Sequence, residues 1–298
     1  MVFLNYLKAA RLRTLPLSLS GIVVGSFLAA SQHAFDWKIC ILAMLTTVGF
    51  QVVSNFANDY GDGVKGTDKN RTGEARMVAS GAITPKQMKR AIIGVASTTL
   101  LLALWLIYSA FGKENFGYSI LFFCLGIGSI IAAIKYTVGE KAYGYSGFGD
   151  LFVFLFFGLL GVVGSYFLFT KSVEIQVFLP AMTIGFLSTA VLNLNNLRDC
   201  EEDSKASKRT LVVKMGVAKA KKYQYALVLG AFLTALLYVS LQPYALPQYI
   251  FVFAFIPLFK NLQTVRKTTN MALLDGELKK VALSTFLFAI LFGLGQML

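Results

Sequence analysis

The sequence predicts an all-α protein that crosses a membrane many times, and three observations lead to this class. Of its 298 residues, 56% are apolar and only 14% are charged, and the mean hydropathy is +0.64. A soluble globule of this size needs more polar surface than that. The apolar residues form long unbroken runs, which excludes a disordered chain and the short alternating strands of a membrane β-barrel. The Lys and Arg residues lie between these runs.

Nine apolar runs have the length of about 17–25 residues that a membrane-spanning helix needs. Pro247 and Pro257 fall inside the eighth run, where neighbouring helices can satisfy the carbonyl groups that proline leaves unpaired. We interpret the chain, residues 1–298, as a single membrane domain. The predicted helices are residues 15–31, 38–56, 91–111, 116–134, 148–169, 174–194, 223–241, 244–260 and 281–298.

The distribution of basic residues predicts which side of the membrane each loop faces. With the N-terminus in the cytoplasm, 25 of the 28 Lys and Arg residues lie on the cytoplasmic side and 3 lie outside, as the positive-inside rule requires. The whole net charge of +13 then belongs to the cytoplasmic face. A nucleic-acid-binding protein would instead gather its basic residues in one patch, so we expect no nucleic-acid partner.

Two acidic motifs of similar spacing follow the second and sixth predicted helices, where the two longest cytoplasmic loops begin. Their asparagines are 140 positions apart, and so are their first aspartates. This match predicts a weak internal repeat in which helices 1–4 correspond to helices 5–8, with helix 9 added. The motif residues are Asn55, Asp59 and Asp62 in N-x-x-x-D-x-x-D, and Asn195, Asp199 and Asp203 in N-x-x-x-D-x-x-x-D.

Residues three or four positions apart lie on one face of a helix, so each motif forms a row of oxygen ligands. If the two helix ends face each other, four carboxylates come together and repel one another unless a divalent cation binds. Mg²⁺ prefers oxygen ligands and leaves positions open for phosphate oxygens. A single aspartate would more simply cap a helix end in water, but two matched copies favour a Mg²⁺-bridged diphosphate site.

A diphosphate also needs cationic partners, and the predicted cytoplasmic loops supply them. Most of their Lys and Arg residues serve orientation. Lys135 is a stronger candidate, because it ends the fourth helix in a loop whose other basic residue is Lys141. Arg11 and Arg13 precede the first helix and either reach the site or anchor that helix. The other candidates are Lys65, Arg76, Tyr136, Arg198, Lys208 and Arg209.

The chain offers little for other kinds of metal or nucleophilic chemistry. Its three cysteines, Cys40, Cys124 and Cys200, form no C-x-x-C pair, and His33 is its one histidine. We therefore expect no zinc site. A Ser-His or Cys-His arrangement for covalent catalysis is not expected either.

The paired motifs resemble those of the UbiA superfamily of intramembrane aromatic prenyltransferases, and the similarity covers the whole chain. It is closest to the branch that prenylates 1,4-dihydroxy-2-naphthoate in menaquinone synthesis. In two places the sequence departs from the family pattern. The second aspartate of the first motif comes one residue early, so Asp62, Asp68 or both complete the first metal site, and Ser207 stands where this branch often has glycine. The resemblance rests on residues 11–18 (RLRTLPLS), 58–62 (NDYGD) followed by Lys65, Gly66 and Asp68, 195–199 (NNLRD) and 208–211 (KRTL).

This resemblance implies a reaction. An allylic polyprenyl diphosphate binds through Mg²⁺ held by the aspartates of both motifs, while Asn55 and Asn195 assist. Arg76, Lys135 and Lys141 stabilise the departing diphosphate. The naphthoate ring attacks the allylic cation and loses its carboxylate, which gives demethylmenaquinol. The implied location is the lipid bilayer of the bacterial inner membrane, with the active site toward the cytoplasm and the oligomeric state left open.

Three alternatives differ from this interpretation. A CDP-alcohol phosphotransferase has its acidic residues in one contiguous stretch, whereas the two motifs here are 140 positions apart. A transporter built from repeats would have acidic residues near the middle of the membrane, and here they lie at the predicted cytoplasmic edge. Within the family, the acceptor could instead be 4-hydroxybenzoate, or the donor a phytyl or geranylgeranyl diphosphate.

Overall fold

The computed structural model describes residues 2–66, 76–139 and 142–298, and within these ranges it contains helices and turns but no β-strand. The predicted all-α class is confirmed. A π-helix, Phe154–Gly164, connects α6 to α7. The α-helices are α1 Val2–Ala10, α2 Leu15–Ser31, α3 Trp37–Lys65, α4 Pro85–Phe111, α5 Phe116–Lys135, α6 Gly149–Val153, α7 Ser165–Thr170, α8 Phe178–Arg198, α9 Cys200–Lys205, α10 Leu211–Met215, α11 Val217–Ser240, α12 Val252–Lys267 and α13 Asp275–Gly295.

All nine predicted segments contain a helix, and α2 has the predicted bounds. In the described ranges, eight helical segments are long and apolar enough to cross a membrane. The exception is the eighth predicted segment, whose helix α12 has 16 residues and begins eight positions later than predicted. The short 3₁₀ turn Leu246–Tyr249, which contains Pro247, takes the place of its expected first turns. The count of nine spanning helices and the side of the N-terminus therefore stay predictions.

Several helices extend beyond their apolar runs, and two of them, α3 and α4, bear on the site. The end of α3 is Lys65 rather than residue 56, so the whole first motif lies on the helix and not in a loop. The start of α4 is Pro85 rather than residue 91, because Thr84 and Gln87 form a reciprocal capping box. A proline at the first helical position favours the same start.

The centre of the bundle is α8, which packs against α11, α13 and the π-helix. Its inward side chains, including Ile184, Leu187 and Leu194, are fully buried. Glycine permits the closest helix contact. A Cβ atom on Gly158 of the π-helix would lie 2.6 Å from the Cα atom of Gly185 on α8. Close approach of small residues is a common way for membrane helices to pack.

In contrast, α5 has no buried residue. Apolar side chains such as Phe123 and Ile131 point outward from it. Such a surface is stable in hydrocarbon, because every backbone polar group of a helix is satisfied within the helix. The helix nevertheless closes one side of the cavity described below.

Candidate active site

The first acidic motif lies buried on the last three turns of α3. Asn55 joins this helix to the N-terminal segment, because its side-chain amide donates hydrogen bonds to the carbonyl oxygen of Ala10 at 2.7 Å and to the hydroxyl of Thr14 at 3.2 Å. Asn55 also accepts a hydrogen bond from Gln51 at 3.3 Å. In this structure Asn55 therefore fixes the connection between α1 and α2 against α3.

Asp59 receives two backbone hydrogen bonds. The N–H groups of Met77 and Val78 donate to its carboxylate at 3.0 and 2.8 Å. These residues belong to the turn before α4, so Asp59 holds that turn over the end of α3. The side chain is 1% exposed, which makes these bonds important for the local fold.

Asp62, one turn further along, contacts the loop between α5 and α6. Tyr145 donates a hydroxyl hydrogen bond to Oδ1 of Asp62, and Arg76 lies 3.4 Å from Oδ2. Tyr145 belongs to the short 3₁₀ turn Tyr143–Tyr145. The first motif is thus connected to three separate segments of the cytoplasmic half predicted from the sequence.

Two lysines lie over the ring of Tyr145. The Nζ atom of Lys65 is 4.0 Å from the ring centroid and that of Lys208 is 5.4 Å away, both within range of a cation–π interaction. Lys65 also donates to the carbonyl oxygen of Thr137 at 3.0 Å. Lys208 pairs with Asp203 of the second motif at 3.5 Å. Tyr145 therefore lies between the two acidic motifs.

The second motif continues from α8 into α9. The N–H of Asp199 donates to the carbonyl oxygen of Asn195 at 3.1 Å, and the N–H of Asp203 donates to that of Asp199 at 2.8 Å. These bonds keep helical spacing across the short break at Asp199. The three motif side chains therefore share one face, as the spacing predicts.

Arg198 binds the second motif tightly. Its Nε and Nη2 atoms donate to the two carboxylate oxygens of Asp199 at 2.6 and 2.8 Å. Nη2 also donates to Asn195 at 2.8 Å, and Nη1 donates to Asp275 on α13 at 2.5 Å. Bidentate pairs of this kind are among the stronger charge-assisted hydrogen bonds.

Each motif aspartate is therefore bound by another part of the protein: by backbone amides at Asp59, and by Arg76, Arg198 and Lys208 at the others. Among the residues described, no three acidic, cysteine or histidine side chains lie close enough to hold one metal ion. The donors themselves fit Mg²⁺, because carboxylate and amide oxygens are the ligands it prefers. The metal assignment stays a prediction.

Tyr136 lies close enough to both motifs for their charges to affect the pKa of its phenol. Burial raises the pKa of its phenol, as do the charge of Asp150 and, more weakly, those of Tyr143, Asp62 and Asp203. Because Asp62 belongs to the first motif and Asp203 to the second, the phenol lies near both. It stays protonated at neutral pH and can donate a hydrogen bond.

The other predicted site residues lie at varying distances from this centre. Lys135 is exposed at the end of α5, and Arg209 is exposed but donates its backbone N–H to the carbonyl oxygen of Tyr145 at 3.0 Å. Arg11 is half-buried in a left-handed turn with φ of 48°, and Arg13 is exposed. Asp68 and Lys141 lie outside the described residues.

A cavity of about 350 Å³ begins beside the motifs and continues between α2, α3, α4, α5 and the π-helix. On α3 its lining extends from Ala43 to Asn58, about 22 Å at 1.5 Å per residue. Asn55, Asn58, Tyr136 and Tyr143 make one end polar. Further from the motifs the lining is mostly apolar, with Ala43, Ile107, Phe122 and Leu168 among its residues.

Sequence reasoning missed Tyr145, Tyr143 and Asp275. Tyr143 stacks on Phe152 with ring centroids 4.1 Å apart, and both line the cavity. The sequence signal for the tyrosines is weak: two tyrosines beside glycines in a short loop that was already a candidate through Lys135. Asp275 has no motif spacing at all, since its partner Arg198 is 77 positions away.

Comparison with known proteins agrees with this architecture. The profile of the UbiA prenyltransferase family matches residues 18–275. The 1,4-dihydroxy-2-naphthoate octaprenyltransferase of Haemophilus influenzae is 42% identical over 294 residues, which cover 98% of this chain and 95% of that relative. The enzyme of the same name from Escherichia coli is 39% identical over 291 residues, with coverage of 97% and 94%.

Among solved structures, a UbiA homologue from Archaeoglobus fulgidus bound to GPP and Mg²⁺ matches 99% of this chain and all of its own, with a TM-score of 0.65. At 15% sequence identity this similarity shows a shared fold. The family resemblance predicted from the two motifs is confirmed. Matched by the family profile over most of its length and by relatives at 42% and 39% identity, this chain belongs to the UbiA prenyltransferase family.

Proposed function

We propose that this protein transfers a polyprenyl group from an allylic polyprenyl diphosphate to 1,4-dihydroxy-2-naphthoate, with loss of the carboxylate, and so forms demethylmenaquinol. Relatives that carry the name of this activity are similar to the chain over nearly its whole length. The proposed acceptor, 1,4-dihydroxy-2-naphthoate, and the polyprenyl donor are taken from the names of these relatives. The residues of the site suit both substrates.

The observation that carries the proposal is the cavity. One end is polar and includes Asn55 of the first acidic motif, and the remainder is a long, mostly apolar space inside the bundle. A polyprenyl diphosphate has the same two parts, a charged head and a long apolar chain. Burial of that chain supplies binding energy in proportion to its apolar area.

The head group would lie between the motifs, near Tyr145. Lys65 and Lys208, which lie over the ring of Tyr145, would supply positive charge to this head group. Arg76 would add a third charge from beside Asp62. These side chains would bind the phosphate oxygens. Their positive charge would stabilise the negative charge that develops on the diphosphate as it leaves.

Asp59, Asp62, Asp199 and Asp203 would hold Mg²⁺, with Asn55 and Asn195 beside them and Asp68 as a further candidate. When bound, Mg²⁺ supplies positive charge that stabilises the leaving diphosphate. The residues that now pair with these carboxylates, Arg198 and Lys208 among them, would share them with the metal. Arg198 is a substrate-binding candidate from the sequence, but in the structure it faces its own motif.

In the reaction the bond between the allylic carbon and the diphosphate oxygen breaks, and diphosphate leaves with the electron pair. A ring carbon of the acceptor bonds to the allylic carbon, and the carboxylate departs as carbon dioxide. Tyr143 and Phe152 supply aromatic rings beside the reacting end of the cavity, where a ring face can stabilise a cation. Lys135, Tyr136 and Lys141 stay candidates for groups that contact the substrates.

We also propose that the protein spans the cytoplasmic membrane of a bacterium with its site toward the cytoplasm. The placement of 25 of 28 basic residues on one side supports this orientation. The motifs would then meet water-soluble dihydroxynaphthoate and Mg²⁺, while the apolar cavity extends into the bilayer region.

An acceptor assay tests the proposal. Purified protein in detergent receives Mg²⁺ and either 1,4-dihydroxy-2-naphthoate or 4-hydroxybenzoate, each with prenyl diphosphates of several lengths. We expect prenylated, decarboxylated product from the naphthoate. Product from hydroxybenzoate alone would replace the acceptor in the proposal, and the absence of product from every pair would overturn the enzyme assignment.

A further inference from the structure

The first turn of α13 lies against the end of α8. Asp275 begins α13 and accepts a hydrogen bond from Nη1 of Arg198. The 3₁₀ turn before it, Met271–Leu274, is fixed by the fully buried Leu274. Lys221 holds the preceding loop as well, since it donates to the carbonyl oxygen of Thr268 at 2.6 Å. Asp275 is therefore held at this place by its surroundings.

The charges around Arg198 do not cancel in pairs. Its side chain is 4% exposed and touches two carboxylates, Asp199 and Asp275, so the three groups together carry one negative charge. If Asp275 were absent, Asp199 would be the one carboxylate of these two that Arg198 contacts. The side chain of Asp275 is 50% exposed. Among the described contacts it has no hydrogen bond to a polar residue of the cavity or to a motif aspartate.

From this arrangement we infer that Asp275 is a positioning residue for the second motif. It binds the guanidinium of Arg198 and compensates part of its charge, so that Arg198 competes less strongly with Mg²⁺ for Asp199. This inference rests on the proposed function, because it assigns Asp199 to the metal. Asp275 acts through Arg198 and does not itself touch substrate.

The same turn of α13 provides a matched control. Glu277 lies two residues further and accepts hydrogen bonds from Asn261 at 2.8 Å and from Lys280. Asn261 continues through Gln224 to Asn193, which forms a buried series of amides between α12, α11 and α8. Glu277 thus stabilises the packing of the same turn of α13, and its bonds go to Asn261 and Lys280 rather than to Arg198.

The experiment measures Mn²⁺ binding to the purified full chain by the EPR signal of the free ion, with inorganic diphosphate present. We expect Asp275→Asn to weaken Mn²⁺ binding about tenfold, because Arg198, no longer bound to Asp275, then pairs more strongly with Asp199 and competes with the metal for its oxygens. Asp275→Glu, which keeps the charge, and Glu277→Gln are expected to bind Mn²⁺ as the unmodified protein does. Glu277→Gln is expected only to lower Tm.

A double-mutant cycle separates action through Arg198 from a direct effect. In an Arg198→Gln background, Asp275→Asn should change Mn²⁺ binding less than twofold. Equal shifts in both backgrounds, no shift in D275N, or a tenfold loss in D275E would each overturn the inference. Since binding is measured without turnover, failure of the acceptor assay leaves this outcome readable, and the two proposals can fail separately.

Discussion

Tyr145 donates its hydroxyl hydrogen bond to Oδ1 of Asp62, across 83 positions of the chain. Because Lys208 lies over the ring of Tyr145 and pairs with Asp203, this one tyrosine connects the two acidic motifs. The motifs approach each other through an aromatic side chain and two lysines rather than by direct contact of their carboxylates.

Removal of the Tyr145 hydroxyl should weaken diphosphate binding while the ring still positions the lysines. For Tyr145→Phe we expect kcat/KM for the prenyl diphosphate to fall roughly tenfold to a hundredfold, since a hydrogen bond to a charged group contributes about 1.5–3 kcal/mol. Tyr145→Leu should lose more, because it also removes the cation–π contacts. Tyr244→Phe, at an exposed position, serves as the control, and equal activity of Y145F and Y244F would contradict the role.

Asp59 should have two separable effects. Asp59→Asn and Asp59→Ala are both expected to abolish Mg²⁺-dependent turnover. Asp59→Ala should also lower Tm by several degrees, because the N–H groups of Met77 and Val78 lose their buried acceptor at roughly 1–3 kcal/mol. Asp203→Asn, which leaves that turn intact, should lose turnover with little change in Tm. Full activity in D59N would contradict the metal assignment.

Asp150 is a buried carboxylate, 6% exposed, and neither of its oxygens has a hydrogen-bond partner within the described chain. An unpaired buried carboxylate lowers stability. Asp150→Asn should therefore increase the free energy of unfolding by roughly 1–3 kcal/mol and raise Tm. Thermal unfolding in detergent measures the change. Glu114→Gln, at an exposed position, should leave Tm unchanged. A lower Tm in D150N would show that this carboxylate is bound and stabilising.

The depth of the cavity should limit the prenyl chain. Ala43 lines its end furthest from the motifs on α3, so Ala43→Phe shortens the space. We expect kcat/KM for octaprenyl relative to geranyl diphosphate to fall about tenfold, as for a pocket that loses room for part of its substrate. Leu45→Phe on the exposed side of the same helix is the control. An unchanged ratio in A43F would place the prenyl chain elsewhere.

The orientation can be tested with single cysteines. In a chain whose three cysteines are replaced, Ser204→Cys on α9 should react with a membrane-impermeant maleimide in inverted vesicles only. Ser172→Cys, between α7 and α8, should react in right-side-out vesicles only. Both serines are exposed. The reverse pattern would refute the predicted placement of the N-terminus in the cytoplasm.

Hydrophobic runs predicted helices well where the helix is apolar throughout. α2 agrees in both bounds, whereas α3 extends nine residues past its run because its polar side chains, such as Asn55 and Asp59, are satisfied by other segments. A hydropathy run ends where polar residues begin, although the helix does not. The start of α4 was within reach of sequence reasoning, since Thr84, Pro85 and Gln87 are a recognised N-terminal signature.

The candidate site likewise has features that the sequence predicts and features that depend on tertiary packing. Spacing predicted that each motif shares one helix face, and the backbone bonds from Asn195 to Asp203 agree with this. The partners of the motifs could not be predicted, because Tyr145 and Asp275 come from loops whose position depends on tertiary packing. Arg198 illustrates the difference: its sequence neighbourhood indicates a phosphate ligand, while the fold pairs it with Asp199 and Asp275.

The pairing of Asp62, Asp199 and Asp203 with Arg76, Arg198 and Lys208 has a consequence for how the protein matures. Each of these three carboxylates therefore has a basic partner before any metal arrives. Some small metal-binding domains, in contrast, fold only when the metal binds. If Mg²⁺ binds these carboxylates as proposed, membrane insertion and folding can finish first, and the metal then displaces these basic side chains from the carboxylates.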